Sequence, residues 1–167
     1  METLSPAEVL AALKGKGRGS IPLVPRRPAV ERVAVAGGPL AFRVTTPASR
    51  ACRTVLFFHG GGFSSGSTAD HLDLCARLAD AAGAEVFSVD YRLAPEEPFP
   101  AAVEDCLAAY RHLLDAGHSP AEIVPVGISA GGSLVLSVLL AARDAGLAMP
   151  AAAVLLSPAV DMLFLGE

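Results

Sequence analysis

Apolar and polar positions alternate along this chain on both sides of a glycine pair, Gly37-Gly38. Alternation around two glycines is typical of a β-hairpin, so we predict strands at residues 31–36 and 39–45. Further along, short apolar runs follow that are almost free of polar side chains, as in parallel strands buried on both faces. These runs are residues 54–58, 85–89, 123–126 and 152–156.

The segments between the apolar runs carry apolar residues at helical spacing. The first predicted helix begins near Leu72 and ends at Gly83, the second ends at Gly117, and the third begins at Ser129 and ends at Gly146. Strand and helix therefore alternate behind a hairpin. This order predicts a three-layer α/β fold with a mostly parallel sheet and right-handed crossovers.

The N-terminal region differs from the rest of the chain. Residues 5–8 read Ser-Pro-Ala-Glu, a helix-capping pattern that predicts a short helix as far as Leu13. A Gly- and Pro-rich connector follows up to Pro28. We therefore divide the chain into an N-terminal helix and linker, residues 1–30, and an α/β core, residues 31–167.

Composition narrows the class of protein. The chain has 167 residues, of which 52% are hydrophobic, and a net charge of −4, which together exclude a disordered or nucleic-acid-binding protein. Three widely spaced cysteines match neither a disulfide framework nor a zinc site, so we expect buried reduced thiols and no metal or cofactor. No signal peptide or membrane span is recognisable, which predicts a cytoplasmic location.

The strongest chemical signal is the pattern Gly127-x-Ser129-x-Gly131 between a predicted strand and a predicted helix. A serine at such a tight turn is held clear of the surface as a nucleophile, and the flanking glycines permit the close packing of the turn. The N–H of Ala130 lies at the helix start, where it can donate to an oxyanion. The alternative is a turn with a purely structural role.

A second signal follows the first parallel strand, where residues 59–63 read His-Gly-Gly-Gly-Phe. Consecutive glycines let the backbone bend until its N–H groups point at one spot, the composition of an oxyanion-hole loop. A phosphate-binding loop is the rival interpretation, but the required lysine and glycine spacing are missing. We predict that His59 shapes this loop by hydrogen bonding and that it is not the catalytic base.

A third stretch, residues 89–106, contains a strand end, a proline-rich turn and a helix. Asp90 and Arg92 are close enough in sequence to pair and fix the turn. Glu96 and Glu97 are adjacent, and adjacent side chains point apart. We therefore interpret the two glutamates as part of a solvated turn and not as an acid/base pair.

Together these three stretches resemble the hormone-sensitive-lipase-like branch of the α/β-hydrolase superfamily, which comprises carboxylesterases and lipases. The resemblance runs from about residue 28 to residue 161. It implies hydrolysis of small carboxylic esters through an acyl-enzyme at Ser129. It also implies an oxyanion hole made by the N–H groups of Gly61, Gly62 and Ala130, with Gly60 and His59 shaping the loop. Residues 1–30 would correspond to part of the family's cap.

The chain departs from the family pattern at three places. Ile128 stands where the family usually has aspartate, and Pro125 falls inside a predicted central strand, where proline is disfavoured. The triad aspartate and histidine of the family follow the serine, but all four histidines here precede Ser129. We therefore expect an α/β-hydrolase fold that is incomplete at its C-terminal end, with no triad acid or histidine in this chain.

This gap has a large energetic consequence. Loss of the triad histidine costs on the order of 10⁶ in kcat, so we expect the chain alone to be nearly inactive. We expect no rescue by His71, which begins the first helix and which we interpret as a surface residue. His112 and His118 lie at the far end of another predicted helix.

Three interpretations remain open from the sequence. The chain is the N-terminal part of an esterase, a non-catalytic protein that binds a small ligand in a hydrolase pocket, or one half of a split hydrolase. The last strand, residues 152–156, would expose an apolar edge in each case. We expect self-association or a complementing chain at that edge.

Overall fold

A computed structural model describes residues 28–161, so the predicted N-terminal helix, most of the linker and the last six residues lie outside the described part. Within it, the predicted hairpin is confirmed as β1 (Ala29–Ala34) and β2 (Leu40–Thr45). The remaining strands are β3 (Arg50–Phe58), β4 (Ala84–Asp90), β5 (Ile123–Ile128) and β6 (Val154–Leu156).

The helices of the described residues follow the predicted periodicity. They are α1 (Leu72–Ala82), α2 (Ala101–Asp115) and α3 (Ala130–Asp144), with a single 3₁₀ turn (Pro120–Glu122) before β5. Gly83 ends α1 in the left-handed conformation, with φ of 58°, as predicted for a glycine stop. None of these helices is both long enough and apolar enough to cross a membrane.

The six described strands form one mixed sheet in the order β1-β2-β4-β3-β5-β6. The hairpin is antiparallel and β2 joins β4 antiparallel, whereas β4, β3, β5 and β6 run parallel. Because β3 and β5 are neighbours in this order, their carboxyl ends meet at the same edge of the sheet. The two glycine-rich signals of the sequence therefore lie next to each other.

Helices cover both faces of the sheet, which confirms the three-layer α/β fold. On one face, side chains of α2 and α3 such as Tyr110 and Leu134 pack with Phe58 and Phe87 of the strands. On the other face, Cys75 and other residues of α1 pack against a smaller cluster of strand residues. Successive strand residues alternate between the two clusters, as Phe57 and Phe58 do, which explains why the central strands are apolar throughout.

The outer strand β6 is shorter than its apolar run predicted and pairs only with β5. Its Val154 and Leu156 are 42% and 37% exposed, and Leu136 and Leu140 of α3 are also exposed. Unpaired backbone beside exposed apolar side chains is the kind of edge that proteins cover. Association of this edge with a second copy or a complementing chain stays a prediction.

One local prediction is confirmed and another needs correction. Pro125 lies inside β5 as predicted, and the strand tolerates it because pairing with β6 begins only at Val126, so that β5 has one neighbouring strand at Pro125. All three cysteines are free, but only Cys75 and Cys106 are buried, whereas Cys52 is exposed. Cys52 lies in the first part of β3, residues 50–53, in which every residue is exposed. The buried segment of the strand begins at Thr54.

Candidate active site

Ser129 occupies the sharp turn between β5 and α3. The backbone of Ser129 has φ of 54° and ψ of −119°, a conformation that a residue with a side chain rarely adopts. Ser129 is also exposed to solvent. The Ser129 N–H donates to the Leu156 carbonyl at 2.9 Å, and its own carbonyl accepts from the Gly132 N–H at 2.9 Å. Strain of this kind costs about 1–3 kcal/mol and persists where the surroundings enforce it.

The glycines on either side of Ser129 are required by close backbone approach. A methyl group at Gly127 would overlap the backbone of Gly131, and one at Gly131 would overlap the carbonyl oxygens of Phe58 and His59. The start of α3 therefore packs directly on the end of β3. This contact is what brings the serine turn against the glycine-rich stretch.

Residues 59–68 follow β3 and form what we call the glycine loop. Gly61 has φ of 130°, and a side chain there would overlap the Ser65 carbonyl. The Gly61 carbonyl accepts from the N–H groups of Ser64 and Ser65 at 3.2 and 3.1 Å. The loop thus folds back on itself in a tight turn that only glycine can make at its centre.

His59 lies buried at the start of the glycine loop. Its Nδ1 is 2.8 Å from the Gly60 carbonyl oxygen, and its ring stacks on Tyr91 with ring centres 4.2 Å apart. Burial lowers the pKa of His59 below its ordinary value of 6.5, so the neutral ring with a proton on Nδ1 donates to Gly60. The buried Nε2 has no hydrogen-bond partner among the described residues.

The serine and the glycine loop line one open depression of about 510 Å³. Its walls include Gly60, Gly61, Ile128 and Ser129, and the Ser129 Cβ lies 3.5 Å from where a Cβ on Gly60 would stand. Gly62 instead lines the adjoining pocket. The structure therefore places Ser129 beside Gly60 and Gly61, with Gly62 one step further out.

The backbone N–H groups of Gly61, Gly62 and Ala130 have no acceptor in the described part of the chain. Of these residues Gly61 lines the depression itself, Gly62 lines the adjoining pocket, and Ala130 directly follows Ser129. The Ala130 N–H is the first of α3, where helix N–H groups have no partner within the helix. Unpaired donors next to an exposed hydroxyl are suited to hold a developing negative charge.

The four histidines are distributed unequally. His71 lines the same open depression as Ser129, is half-buried, and stacks on His59 with ring centres 5.8 Å apart, so it is partly covered and not fully on the surface. Its Nδ1 lies 3.1 Å from the Ser67 carbonyl. His112 stacks on Phe87, and His118 lies at the opposite end of the strands.

The predicted pair of Asp90 and Arg92 does not form. Asp90 accepts hydrogen bonds from Thr68, and Arg92 binds the buried Asp105 of α2 at 2.9 Å. Asp90 is the last residue of β4 and Arg92 lies beyond the strand, where the regular alternation of side chains ends, so each side chain pairs with a residue of another element. Glu97 is exposed and 3.8 Å from Arg92, in keeping with a solvated turn.

An apolar pocket of about 420 Å³ adjoins the depression, and sequence reasoning missed it. Its lining comes from the glycine loop, the connection between β4 and α2, α2 and α3, and includes Phe63, Val103 and Leu134. Phe99 stands at its edge with 87% of its surface exposed. Among the described residues, no group of His, Cys, Asp or Glu side chains is arranged to hold a metal ion.

A parallel α/β sheet with a strained serine at a strand-to-helix turn, facing a glycine loop, defines the class of α/β hydrolases. Sequence comparison agrees, because the profile of the alpha/beta hydrolase fold family matches residues 55–166. The chain belongs to this family.

The relatives are esterases and lipases. The acetyl-hydrolase of Streptomyces hygroscopicus is 50% identical over 116 residues, which cover 70% of this chain and 39% of the relative. Human hormone-sensitive lipase is 38% identical over 107 residues, 62% of this chain and 10% of the relative. These matches confirm the resemblance to the hormone-sensitive-lipase branch.

A solved esterase from the bacterial hormone-sensitive lipase family superimposes with a TM-score of 0.82 at 37% identity. The match covers 96% of this chain and 60% of that chain. This chain therefore spans well under two thirds of the length of the relatives that it matches.

Proposed function

We propose that this chain carries the nucleophile and the oxyanion hole of a serine carboxylesterase. Ser129 Oγ attacks the acyl carbon of a small carboxylic ester, and the carbonyl oxygen takes the negative charge. The N–H groups of Gly61, Gly62 and Ala130 donate to that oxygen. The proton of Ser129 Oγ passes through the triad histidine to the oxygen of the leaving alcohol as the ester C–O bond breaks, an acyl-serine remains, and water later cleaves it to release the acid and restore the serine hydroxyl.

The observation that carries this proposal is the backbone at Ser129. A positive φ on a serine is an expensive conformation, and here it presents the side chain outward beside unpaired N–H donors. A structural turn at this position would be satisfied by glycine at lower cost. The strain is explained if the hydroxyl has to be displayed.

His59 supports the oxyanion hole in this proposal and does not act as the base. Its Nδ1 proton is committed to the Gly60 carbonyl, and its ring is buried under the loop. The bond fixes the orientation of the Gly60–Gly61 peptide, whose N–H would otherwise be free to turn away.

The acid and histidine of the triad come, in this proposal, from sequence outside this chain. Each of the four histidines precedes Ser129, and His71 alone shares its depression. Without an activated base, the oxyanion hole and binding leave on the order of 10³–10⁴ over the rate in water. The isolated chain would thus be acylated slowly, and its acyl-serine would persist because no base activates water.

Acetylation by p-nitrophenyl acetate tests the proposal. We expect slow and stoichiometric acetylation that peptide mass spectrometry assigns to Ser129, and no label at that peptide in Ser129→Ala. Ser137→Ala is the matched control, because Ser137 is on the same helix and donates only to the Ser133 carbonyl.

Other outcomes separate the alternatives. Acetyl groups on the amino terminus or on Lys14 and Lys16, the two lysines of the chain, with none on Ser129, would contradict the proposal. Saturable binding of an ester without acetylation would favour a non-catalytic ligand-binding protein. A loss of acetylation in His71→Ala would make His71 the base, in place of a histidine from outside this chain.

A further inference from the structure

We propose that residues 90–94, the end of β4 and the four residues that follow it, position the glycine loop, and that Asp90 and Tyr91 are positioning residues of the oxyanion hole. The inference rests on the proposed function, but its geometry stands on separate contacts. Sequence analysis interpreted this segment only as a turn. In the structure it contacts the glycine loop at its beginning, its middle and its end.

The contacts are short and partly buried. The Tyr91 hydroxyl donates to the His59 carbonyl at 2.8 Å, and the Ala94 N–H donates to the Phe63 carbonyl at 2.9 Å. Asp90 Oδ1 accepts from both the N–H and the hydroxyl of Thr68, each at 2.6 Å. Asp90 and Tyr91 are consecutive, so their side chains leave the chain in opposite directions and reach the two ends of the loop.

These contacts determine where the free N–H groups point. The carbonyls of His59, Gly60 and Gly61 are held by Tyr91, by the His59 ring and by the Ser64 and Ser65 N–H groups respectively. In a trans peptide the C=O and the next N–H point in opposite directions. The Gly61 and Gly62 N–H groups are therefore turned away from these donors and left without an acceptor.

The Tyr91 ring contributes a second effect. It stacks on the His59 ring with an interplanar angle of 12°, and that imidazole holds the Gly60 carbonyl. One residue thus fixes the His59 carbonyl through its hydroxyl and the His59 side chain through its ring. Burial raises the pKa of Tyr91 well above its usual range, so its hydroxyl keeps the proton that it donates.

At the other end, Thr68 belongs to a directional chain of hydrogen bonds. Its hydroxyl donates its single proton to Asp90, so it must accept from the Ser88 hydroxyl, 2.7 Å away. Ser88 lies on β4. The chain of bonds therefore links β4 to the glycine loop and ends on the carboxylate of Asp90.

The segment is itself held in place by α2. The Arg92 N–H donates to Asp105 at 2.8 Å, and the Arg92 guanidinium also binds this buried carboxylate. A rigid support of this kind is what a catalytic group needs, since small displacements of reacting geometry are costly.

The decisive comparison uses the chain's two tyrosines. Tyr91→Phe removes the hydrogen bond to the His59 carbonyl. Tyr110 lies on α2, remote from the site, and Tyr110→Phe removes a similar hydrogen bond to the Ala148 carbonyl. We expect the ¹⁵N–¹H signals of Gly61 and Gly62 to move in Tyr91→Phe and to stay in place in Tyr110→Phe. The rate of Ser129 acetylation should fall about tenfold in Tyr91→Phe and stay within about twofold in Tyr110→Phe.

Thr68 provides the second arm. Thr68→Val keeps the shape but loses the hydroxyl, and Thr68→Ser restores it, so the glycine signals and the acetylation rate should change in the first and recover in the second. Equal glycine shifts in Tyr91→Phe and Tyr110→Phe, or no difference between Thr68→Val and Thr68→Ser, would overturn the inference. If wild-type Ser129 is never acetylated, the proposed function fails, yet the glycine signals still decide the positioning role.

Discussion

The two ends of the central strands differ in what their buried polar groups bind. At the amino ends of β3 and β4, the Thr54 hydroxyl donates to the buried Glu85, and His118 approaches both of these residues. Arg43 lies 3.2 Å from Glu85 as an ion pair, although its Nε makes no hydrogen bond among the described residues. At the carboxyl ends, Ser129 is strained and the His59 Nε2 is buried without a partner among the described residues.

This difference indicates where the fold gains stability and where it gives stability up. Paired polar groups at the amino ends hold three strands and a loop together. Strain and unpaired groups at the carboxyl ends lower stability but leave a hydroxyl and several N–H groups free to meet a substrate. Parallel α/β folds place ligands at the carboxyl ends, so the costly end is the one expected to react.

The largest effect is expected at the amino end, in Thr54→Val. The change keeps the side-chain shape but removes the hydroxyl that serves Glu85 and His118, which should lower the free energy of unfolding by about 2 kcal/mol. Urea denaturation measures it. Thr45→Val is the control, because Thr45 is half-buried on β2 and its side chain makes no hydrogen bond to any residue that the structure describes. Equal costs for both variants would mean that the cluster adds nothing.

A change of opposite sign is expected at the carboxyl end. Ser129→Gly relieves the positive φ, whereas Ser129→Ala retains it, and both remove the hydroxyl. The glycine variant should therefore be the more stable of the two by about 1 kcal/mol. This difference is the strain that glycine relieves minus the additional conformational entropy that glycine loses on folding. Thermal unfolding of the pair measures the difference. An alanine variant as stable as the glycine variant would show that the turn is unstrained.

Sequence periodicity predicted much of this fold because its elements are locally encoded. The hairpin, the central strands and the stop of α1 at Gly83 all follow from short-range patterns. The apolar run predicted a strand over residues 152–156, which is longer than β6 in the structure. The length of an edge strand depends on how many of its residues pair with its one neighbouring strand, and the apolar pattern does not encode that number.

Long-range partners could not be predicted in the same way. Adjacency in sequence suggested an Asp90–Arg92 pair, but Asp90 bonds Thr68 and Arg92 bonds Asp105. The position of His71 beside the serine likewise depends on how α1 packs against the loop. The glycine motifs were recognisable because positions where two backbone segments approach closely have no room for a side chain and therefore require glycine.

A further effect is expected in the pH dependence of stability, and it arises from His59. Burial lowers the pKa of His59 in the folded chain below 6.5. As the pH falls below 6.5, His59 is therefore protonated to a greater extent in the unfolded state than in the folded state. The free energy of unfolding should therefore fall as the pH drops below 6.5, by at most about 1.4 kcal/mol per pH unit for one proton. Urea titrations between pH 7 and about 5, above the main range of carboxyl titration, measure the slope. The slope of the free energy of unfolding against pH should become smaller in His59→Asn and should stay the same in His112→Asn. An unchanged slope in His59→Asn would assign the effect to another group.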